Sequence, residues 1–413
     1  MNILIVTQYF WPESFLVNGL ATELKNNGHT LTVLTGLPNY PTGKFSAGYG
    51  IFSGPWVEIY KGVKILRVPI ISRGSSYFNL MVNYFSFIFF GTFFSFFRVP
   101  KNIDVIFCFG VSPITACLPA IFIRWLIKKP LVLWVQDLWP DSISAVGAIN
   151  SEKVLNMVGL LVQFIYRRCD LILTQSEAFR GSIIKWGGRC ENIKYLPNWA
   201  EPFVTKNVLP NWIESLKSGF RIGFAGNIGK AQDIPNLIET AFKLIKHTDI
   251  QWVIVGDGSE KKWLDQEIKS KGLEKSMITV GYKAYEDMLP FFKSCDVLLV
   301  SLTDKPIFSL TVPSKVQAYM ASARPIISTV AGEGTRVIEM AQAGLTVEPG
   351  NASQLVEAIL KLKSMSPSQR QQLGENGLNF FKQNFDKNIV IKQLEFYMQD
   401  LIKKNKPIIP EVK

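Results

Sequence analysis

FRIGFAGNIGKAQDIPNLIETA, residues 220–241, decides the fold. Phe220–Ala225 is a short apolar run of strand character, and Gly226 and Gly229 break it into a turn. Asp233 then stands where a helix N-cap belongs, with Pro235 in the first turn beyond it. Strand, glycine turn and helix in that order make half of a βαβ unit, and a continuously apolar strand is what a sheet covered on both faces requires. Lys230 lies in the turn, at the carboxyl end of the strand, where open α/β sheets hold ligands. A plain connecting turn is the alternative reading of the same residues.

The pattern repeats outward in both directions. Apolar runs at 2–6, 31–35, 64–68, 104–109, 131–136, 170–174 and 193–196 precede it. Others at 251–255, 278–280, 297–301 and 326–329 follow. Helical stretches separate them, which predicts parallel sheets. Between the two series lies LPNWAEPFVTKNVLPNWIESLKSG (196–219), whose prolines and asparagines mark a linker. The expected fold class is therefore α/β, as two doubly wound Rossmann-like domains facing a cleft. The expected domains are 1–200, 201–385, and a C-terminal helix and tail over 386–413. A chain of 413 residues suits two such cores.

Composition narrows the classes. Hydrophobic residues make up 47% and charged residues 19%, which suits a globular protein. The formal charge of +12 favours an anionic partner, with a merely soluble basic surface as the plain alternative. Nucleic acid fits poorly, because the basic residues form no aromatic-interleaved patch. Five cysteines without a CxxC pair suggest a reduced compartment, and two histidines make a zinc site unexpected. MNILIVTQYF opens directly as a strand, so no signal peptide is expected.

Three further loops resemble the first. VGDGSE (255–260) carries Gly256 and Gly258, and VAGEGTRVIE (330–339) carries Gly332, Glu333 and Gly334. LTVPSKVQAYMASARPIIST (310–329) starts a helix at Pro313 and places Ser314, Lys315 and Gln317 in its first turn. A cation at a helix N-terminus is mildly unfavourable, and a bound anion would offset it. Lys230 and Lys315 among glycine loops suggest a diphosphate site. No GxxxxGK[ST] occurs, and no GxGxxG follows the first strand, where only Gly19 appears.

In the first half, LVLWVQDLWPDSI (131–143) puts Asp137 just past a strand, as a candidate base or orienting group. An Asp capping the next turn is the alternative. Trp139 suits stacking on a sugar ring or filling the core. Asn39 and Tyr40, in LPNYPTGK (37–44), follow the second strand, and a turn-forming role suits them equally. Asp137 and Asp141 straddle a proline and do not make a metal pair.

The segment 78–97 holds nine of the 29 phenylalanines and no charge. Its length just spans a bilayer. Asn79, Asn83 and Ser86 form a polar stripe at helical spacing, and Thr92 and Ser95 fall on the opposite face after Gly91. A bent helix lying in a membrane interface, near Arg124, Lys128 and Lys129, is the expectation. An ordinary buried helix and a transmembrane helix remain open.

Taken in order, these motifs resemble a known family. MNILIVTQYFWPE, LKNNGHTLTVLTGLPNYPTGKF, FAGNIGKAQDIPNLIETA, WVIVGDGSE, ITVGY, PSKVQAYMASARPIIST and GLTVEPGNASQLVEAI are similar to retaining glycosyltransferases of family 4, which have the GT-B fold. Within that family the chain most resembles bacterial N-acetyl-L-fucosamine transferases of O-antigen and capsule assembly. The resemblance implies a UDP-sugar donor in the second domain, without a metal or other cofactor. It implies a polyprenyl-diphosphate-linked sugar as acceptor, and a cytoplasmic protein peripheral to the inner face of the plasma membrane. Lys230 and Lys315 would stabilise the departing diphosphate, and Asp137 would orient or deprotonate the acceptor hydroxyl. Asn18, Gly19, Asn39, Tyr40 and Trp139 would bind substrate from the first domain. Gly226, Asn227, Gln232, Gly256, Gly258, Tyr282, Ser314, Gln317, Gly332, Glu333 and Gly334 would meet the donor.

The chain departs from the family at two places. Asn227 and Gln232 stand where many members carry Arg and Lys, and Leu310 and Ala318 stand where a pair of Glu is common. A UDP-HexNAc epimerase of the same fold and a non-catalytic nucleotide-sugar-binding scaffold are the rival readings.

Overall fold

The computed structural model describes residues 1–405 except Ser75, residues 146–150, Pro202 and residues 204–208. Part of the expected linker and the last eight residues of the tail thus lie outside the described residues. The chain forms two compact units, Met1–Leu196 with Ile391–Lys413, and Pro197–Val390.

Among the described residues, the first unit has an eight-stranded sheet. Its strands are β1 (Asn2–Val6), β2 (Thr30–Gly36), β3 (Val57–Tyr60), β4 (Val63–Val68), β5 (Val105–Gly110), β6 (Leu131–Val135), β7 (Leu171–Thr174) and β8 (Ile193–Tyr195), in the order β3-β4-β2-β1-β5-β6-β7-β8. β5 and β6 are buried along their whole length and β1 from Ile3 onward, as a sheet covered on both faces requires. The helices are α1 (Leu16–Asn26), α2 (Tyr77–Arg98), α3 (Cys117–Ile127), α4 (Asp141–Ala145), α5 (Glu152–Tyr166) and α6 (Phe179–Lys185).

Among the described residues, the second unit has a six-stranded parallel sheet of β9 (Phe220–Ala225), β10 (Ile250–Val255), β11 (Met277–Gly281), β12 (Val297–Ser301), β13 (Ile326–Thr329) and β14 (Gly344–Thr346). Their order is β11-β10-β9-β12-β13-β14. The helices α7 (Asn211–Glu214), α8 (Ile234–Lys243), α9 (Lys261–Ser270), α10 (Met288–Ser294), α11 (Pro306–Ser309), α12 (Ser314–Ala321), α13 (Glu333–Met340), α14 (Ala352–Ser364) and α15 (Pro367–Asn384) belong to this unit. The last helix, α16 (Lys387–Lys404), starts in the second unit and continues in the first. There Glu395 meets His29 Nε2 at 2.9 Å and accepts from Asn27 at 2.9 Å.

Two strands escaped the sequence reading. β3 runs antiparallel to β4, so the first sheet is not wholly parallel. Its turn, Lys61–Gly62, has φ of 48° and 77°, the two left-handed positions of a tight hairpin. As an edge strand it leaves Val57 and Ile59 exposed, so no apolar run marks it. β14 is only three residues long and lies at the other sheet's edge.

The phenylalanine-rich segment forms a single helix, α2, and it is turned around. Asn83, Ser86, Gly91 and Ser95 are its buried face, and Phe78, Met81, Phe85, Phe89, Phe93 and Phe96 are exposed. The expected opposition of Ser95 to the Asn83 stripe does not hold, because both lie on the inward side. The polar groups are satisfied inside. Asn83 donates to the Ile71 carbonyl and accepts from Gln8 Nε2, each at 2.6 Å. Ser86 Oγ accepts from Ile71 N at 2.9 Å. Gly91 lets the helix approach Pro119 of α3 closely. Replacing Asn83 with Leu should therefore destabilise the protein by about 1–3 kcal/mol, because the Gln8 amide and Ile71 carbonyl lose their buried partner. Phe85→Ser should change stability by less than about 0.5 kcal/mol. Urea unfolding of both variants checks this inverted packing.

Candidate functional site

In the second unit, loops at the carboxyl ends of β9 and β10 are tied backbone to backbone. Gly226 N donates to Val255 O at 2.9 Å, Ile228 N to Asp257 O at 2.8 Å, and Glu260 N to Ile228 O at 2.9 Å. The approach is so close that a methyl group on Gly256, whose φ is +138°, would lie 1.8 Å from the Gly226 carbonyl. A methyl group on Gly258 would meet Asn227 Oδ1 at 2.6 Å. Asn227 and Gly226 are exposed, and Gly256 N is bonded to Gly281 O, next to the exposed Tyr282.

Lys315 extends from the first turn of α12 to this loop. Its Nζ donates to Gln232 Oε1 at 2.5 Å and sits 4.8 Å above the Phe224 ring. A methyl group on Gly226 would be 2.6 Å from Lys315 Cε. No carboxylate among the described residues pairs with the amine, and burial lowers its pKa to about 8. A cation held this way stands ready for an anion. Lys230 begins the one-turn helix Lys230–Gln232, is exposed, and has no ion partner among the described residues. The turn is fixed by Thr303 N donating to Ala231 O at 2.9 Å. The structure thus brings together Lys230, Lys315, Gln232, Gly226, Asn227, Gly256 and Gly258.

Other expected donor residues lie differently. Gln317 is two residues from Lys315, about 200° around the helix, and so faces the other way. It is buried and donates to the Asn198 carbonyl at 2.8 Å, as a structural tie. Ser314 is exposed at the start of α12. Gly332 packs against the Ser309 carbonyl, and Gly334 against Pro313, at the head of α12. Glu333 is buried, and its two oxygens accept from Arg336 Nε at 2.8 Å and Nη2 at 2.5 Å.

In the first unit, Asp137 follows β6 and its Oδ2 accepts from Ser112 N at 2.9 Å. Trp139 Nε1 donates to Ser112 Oγ at 3.0 Å, so both residues are fixed to the loop after β5. Asn39 is not free for a ligand: it is 1% exposed, accepts from Arg73 N at 3.0 Å and donates to Leu37 O at 3.0 Å. Tyr40 stays exposed, with the Arg73 guanidinium 5.2 Å from its ring. Asn18 donates to Glu13 O at 2.6 Å, and Gly19 follows it within α1.

Sequence reading missed Glu13 and Tyr84. Glu13 is buried and accepts from Asn39 N and Tyr40 N, each at 2.7 Å, which shapes the loop after β2. Desolvation holds its carboxyl above the ordinary range despite those bonds. Tyr84, on α2, lies within the fields of Arg73 and Asp137, and its burial raises its pKa. A lone acid in the apolar stretch 8–17 was the available signal for Glu13. Among the described residues no three metal-ligating side chains cluster.

Two family models cover most of the chain. Residues 16–199 match the Glycosyl transferase 4-like domain, and residues 213–380 match Glycosyl transferases group 1. A colanic acid biosynthesis glycosyl transferase of Escherichia coli strain K12 is 25% identical over 51% of this chain and 54% of its own length. An N-acetyl-alpha-D-glucosaminyl L-malate synthase of Bacillus anthracis is 22% identical over 44% of this chain and 45% of its own. The chain thus spans about half the length of the curated relatives it matches. Anabaena HepE in complex with UDP has a TM-score of 0.68 at 18% identity, covering 97% of this chain and 100% of that one. Sucrose-phosphate synthase from Thermosynechococcus elongatus has a TM-score of 0.73 at 15% identity, covering 98% and 99%. These structures share the fold, two α/β domains of the GT-B class built on largely parallel sheets.

Burial makes a stability prediction for Lys315. Its pKa is near 8 in the folded chain and 10.5 unfolded, so the unfolded chain binds more protons between those values. Stability is lowered below pH 8 and rises as the pH climbs from 8 towards 10.5. Lys315→Met should raise stability at pH 7 by about 1–2 kcal/mol, less than the full shift because the amine keeps some hydration. It should also flatten that rise, as thermal melts from pH 7 to 10 would show.

Proposed function

From the membership of residues 16–199 and 213–380 in the glycosyltransferase 4-like and group 1 domain families, we propose that the protein is a retaining, metal-independent glycosyltransferase. The donor is a UDP-sugar, bound by the second unit. The observation that carries this reading is the Lys315 amine, held against Gly226 and Gln232 without a carboxylate among the described residues. A diphosphate supplies the missing negative charge, and Lys230, at the start of the one-turn helix that ends in Gln232, shares it.

In the reaction the bond between the sugar's anomeric carbon and the diphosphate oxygen breaks, and the acceptor oxygen bonds to that carbon. Charge grows on the leaving diphosphate, so a preorganised cation there lowers the barrier. Asp137 orients the acceptor hydroxyl and takes its proton. Its Oδ2 is already held by Ser112 N, which fixes the carboxylate's direction. Trp139 offers an indole face beside it.

The proposed donor sugar is an N-acetylated deoxysugar, N-acetyl-L-fucosamine foremost. The proposed acceptor is a polyprenyl-diphosphate-linked sugar of surface-polysaccharide assembly, met at the cytoplasmic face of the plasma membrane. A relative named for colanic acid biosynthesis and the phenylalanine face of α2 support that choice.

A panel of UDP-sugars with a synthetic GlcNAc-diphospho-lipid, in detergent with EDTA, tests the reading. One donor should give product with retained anomeric configuration, and EDTA should not reduce it. Lys315→Ala should lower kcat by about 10²–10³-fold with the fold intact. UDP binding without transfer to any acceptor would discard the transferase reading.

A further inference from the structure

We propose that the exposed phenylalanine face of α2, continued by α3 and α5, docks on an anionic lipid bilayer with α2 lying along the surface and not through it. This deepens the proposed function, on whose lipid-borne acceptor it rests, by naming the surface that meets the lipid.

The face is wide. Phe85, Phe89, Phe93 and Phe96 form one helical stripe, each more than half exposed. α3 packs beside α2, and α5 beside α3. Phe122 of α3 closes an apolar groove of about 550 Å³ with Phe89 and Phe93. Its neighbour Trp125 is 72% exposed, with the two rings 5.9 Å apart. On α5, Met157 and Leu160 are also exposed. Contiguous apolar surface of this kind marks an interaction site.

Charge selects the occupant. The first unit carries 23 Lys and Arg against 13 Asp and Glu, the second 22 against 20, so almost all of the +12 belongs to the unit with the apolar face. Between Glu58 and Asp137 the only acid is Asp104. Lys128 and Lys129, with Arg124, line a recess beside Trp125. Arg124 is paired with Asp170, but the two lysines have no ion partner among the described residues. An apolar face beside unpaired cations fits lipid tails below anionic head groups. A second copy of the chain would bring a second positive charge to the same face.

The inward side decides orientation. A 22-residue helix is about 33 Å long and could cross a bilayer. Yet Asn83 and Ser86 bond to Gln8 and Ile71, Gly91 abuts Pro119, and Arg98 donates to the Arg67 carbonyl at 3.1 Å. The helix is fastened to the unit at both ends, so only its outward half is available to lipid.

Co-flotation of the full chain with phosphatidylcholine vesicles, with and without phosphatidylglycerol, tests the inference, and it requires no sugar substrate. Binding should appear with phosphatidylglycerol and fall as salt rises. Phe89→Ser/Phe93→Ser and Lys128→Gln/Lys129→Gln should each weaken it by about tenfold or more, with unchanged circular dichroism. Brominated lipids should quench the Trp125 contribution, measured against Trp125→Phe. Absence of binding, or binding unaffected by either double variant, would overturn the inference. Resistance of vesicle-bound protein to alkaline carbonate would overturn the surface orientation. Loss of a dimer in the phenylalanine variant without vesicle binding would assign the face to a second copy. Vesicle binding with no glycosyl transfer would leave this inference standing while the proposed activity falls.

Discussion

A lysine amine largely withdrawn from water, with no carboxylate beside it among the described residues, is the constraint around which the second unit is organised. Such a group costs stability, and the fold tolerates it only because the surrounding backbone leaves little alternative. Phe224 forms the apolar floor beneath Lys315, and Gln232 gives one neutral acceptor. The glycines of the loops after β9 and β10 allow the approach, since any side chain at Gly226 would meet the lysine stem. The parallel topology places those loops together at the carboxyl ends of neighbouring strands, which is where open α/β sheets hold ligands.

The first unit is organised by a buried acid instead. Glu13 gathers the amides after β2 and fixes the loop that presents Tyr40. Asn39 completes that network through Arg73 N, and Asn83 of α2 lies next to it. Side chains that look available in the sequence are thus spent on shaping the backbone. The candidates that remain are Tyr40 after β2, Tyr84 on α2, and Asp137 with Trp139 after β6, from three separate segments.

The sheets were legible because most of their strands are short, predominantly apolar runs. Twelve of the fourteen strands among the described residues coincide with such runs. β3 and β14 were not, because an edge strand needs neither apolar continuity nor length. The glycine loops and Lys315 were also legible, since turn and helix-start chemistry is local. The roles of Asn39 and Gln317 were not, because a polar side chain's partner comes from distant sequence. α2 shows the limit most clearly. Periodicity gives two stripes, and only the rest of the fold tells which one turns inward. Here the polar stripe did, because Gln8 and the Ile71 backbone were waiting for it.

The route of the chain between its two units has a consequence for biosynthesis. The second unit is one continuous segment, whereas the first begins at Met1 and is completed by the last part of α16. During translation the ribosome must release nearly two hundred intervening residues before Glu395 can reach His29. Domains usually fold as they emerge, amino-terminal first. Here the unit made first is the one finished last, and while it waits it carries the phenylalanine helix. Chaperone capture of that nascent half, or early contact with lipid, would cover it during the interval.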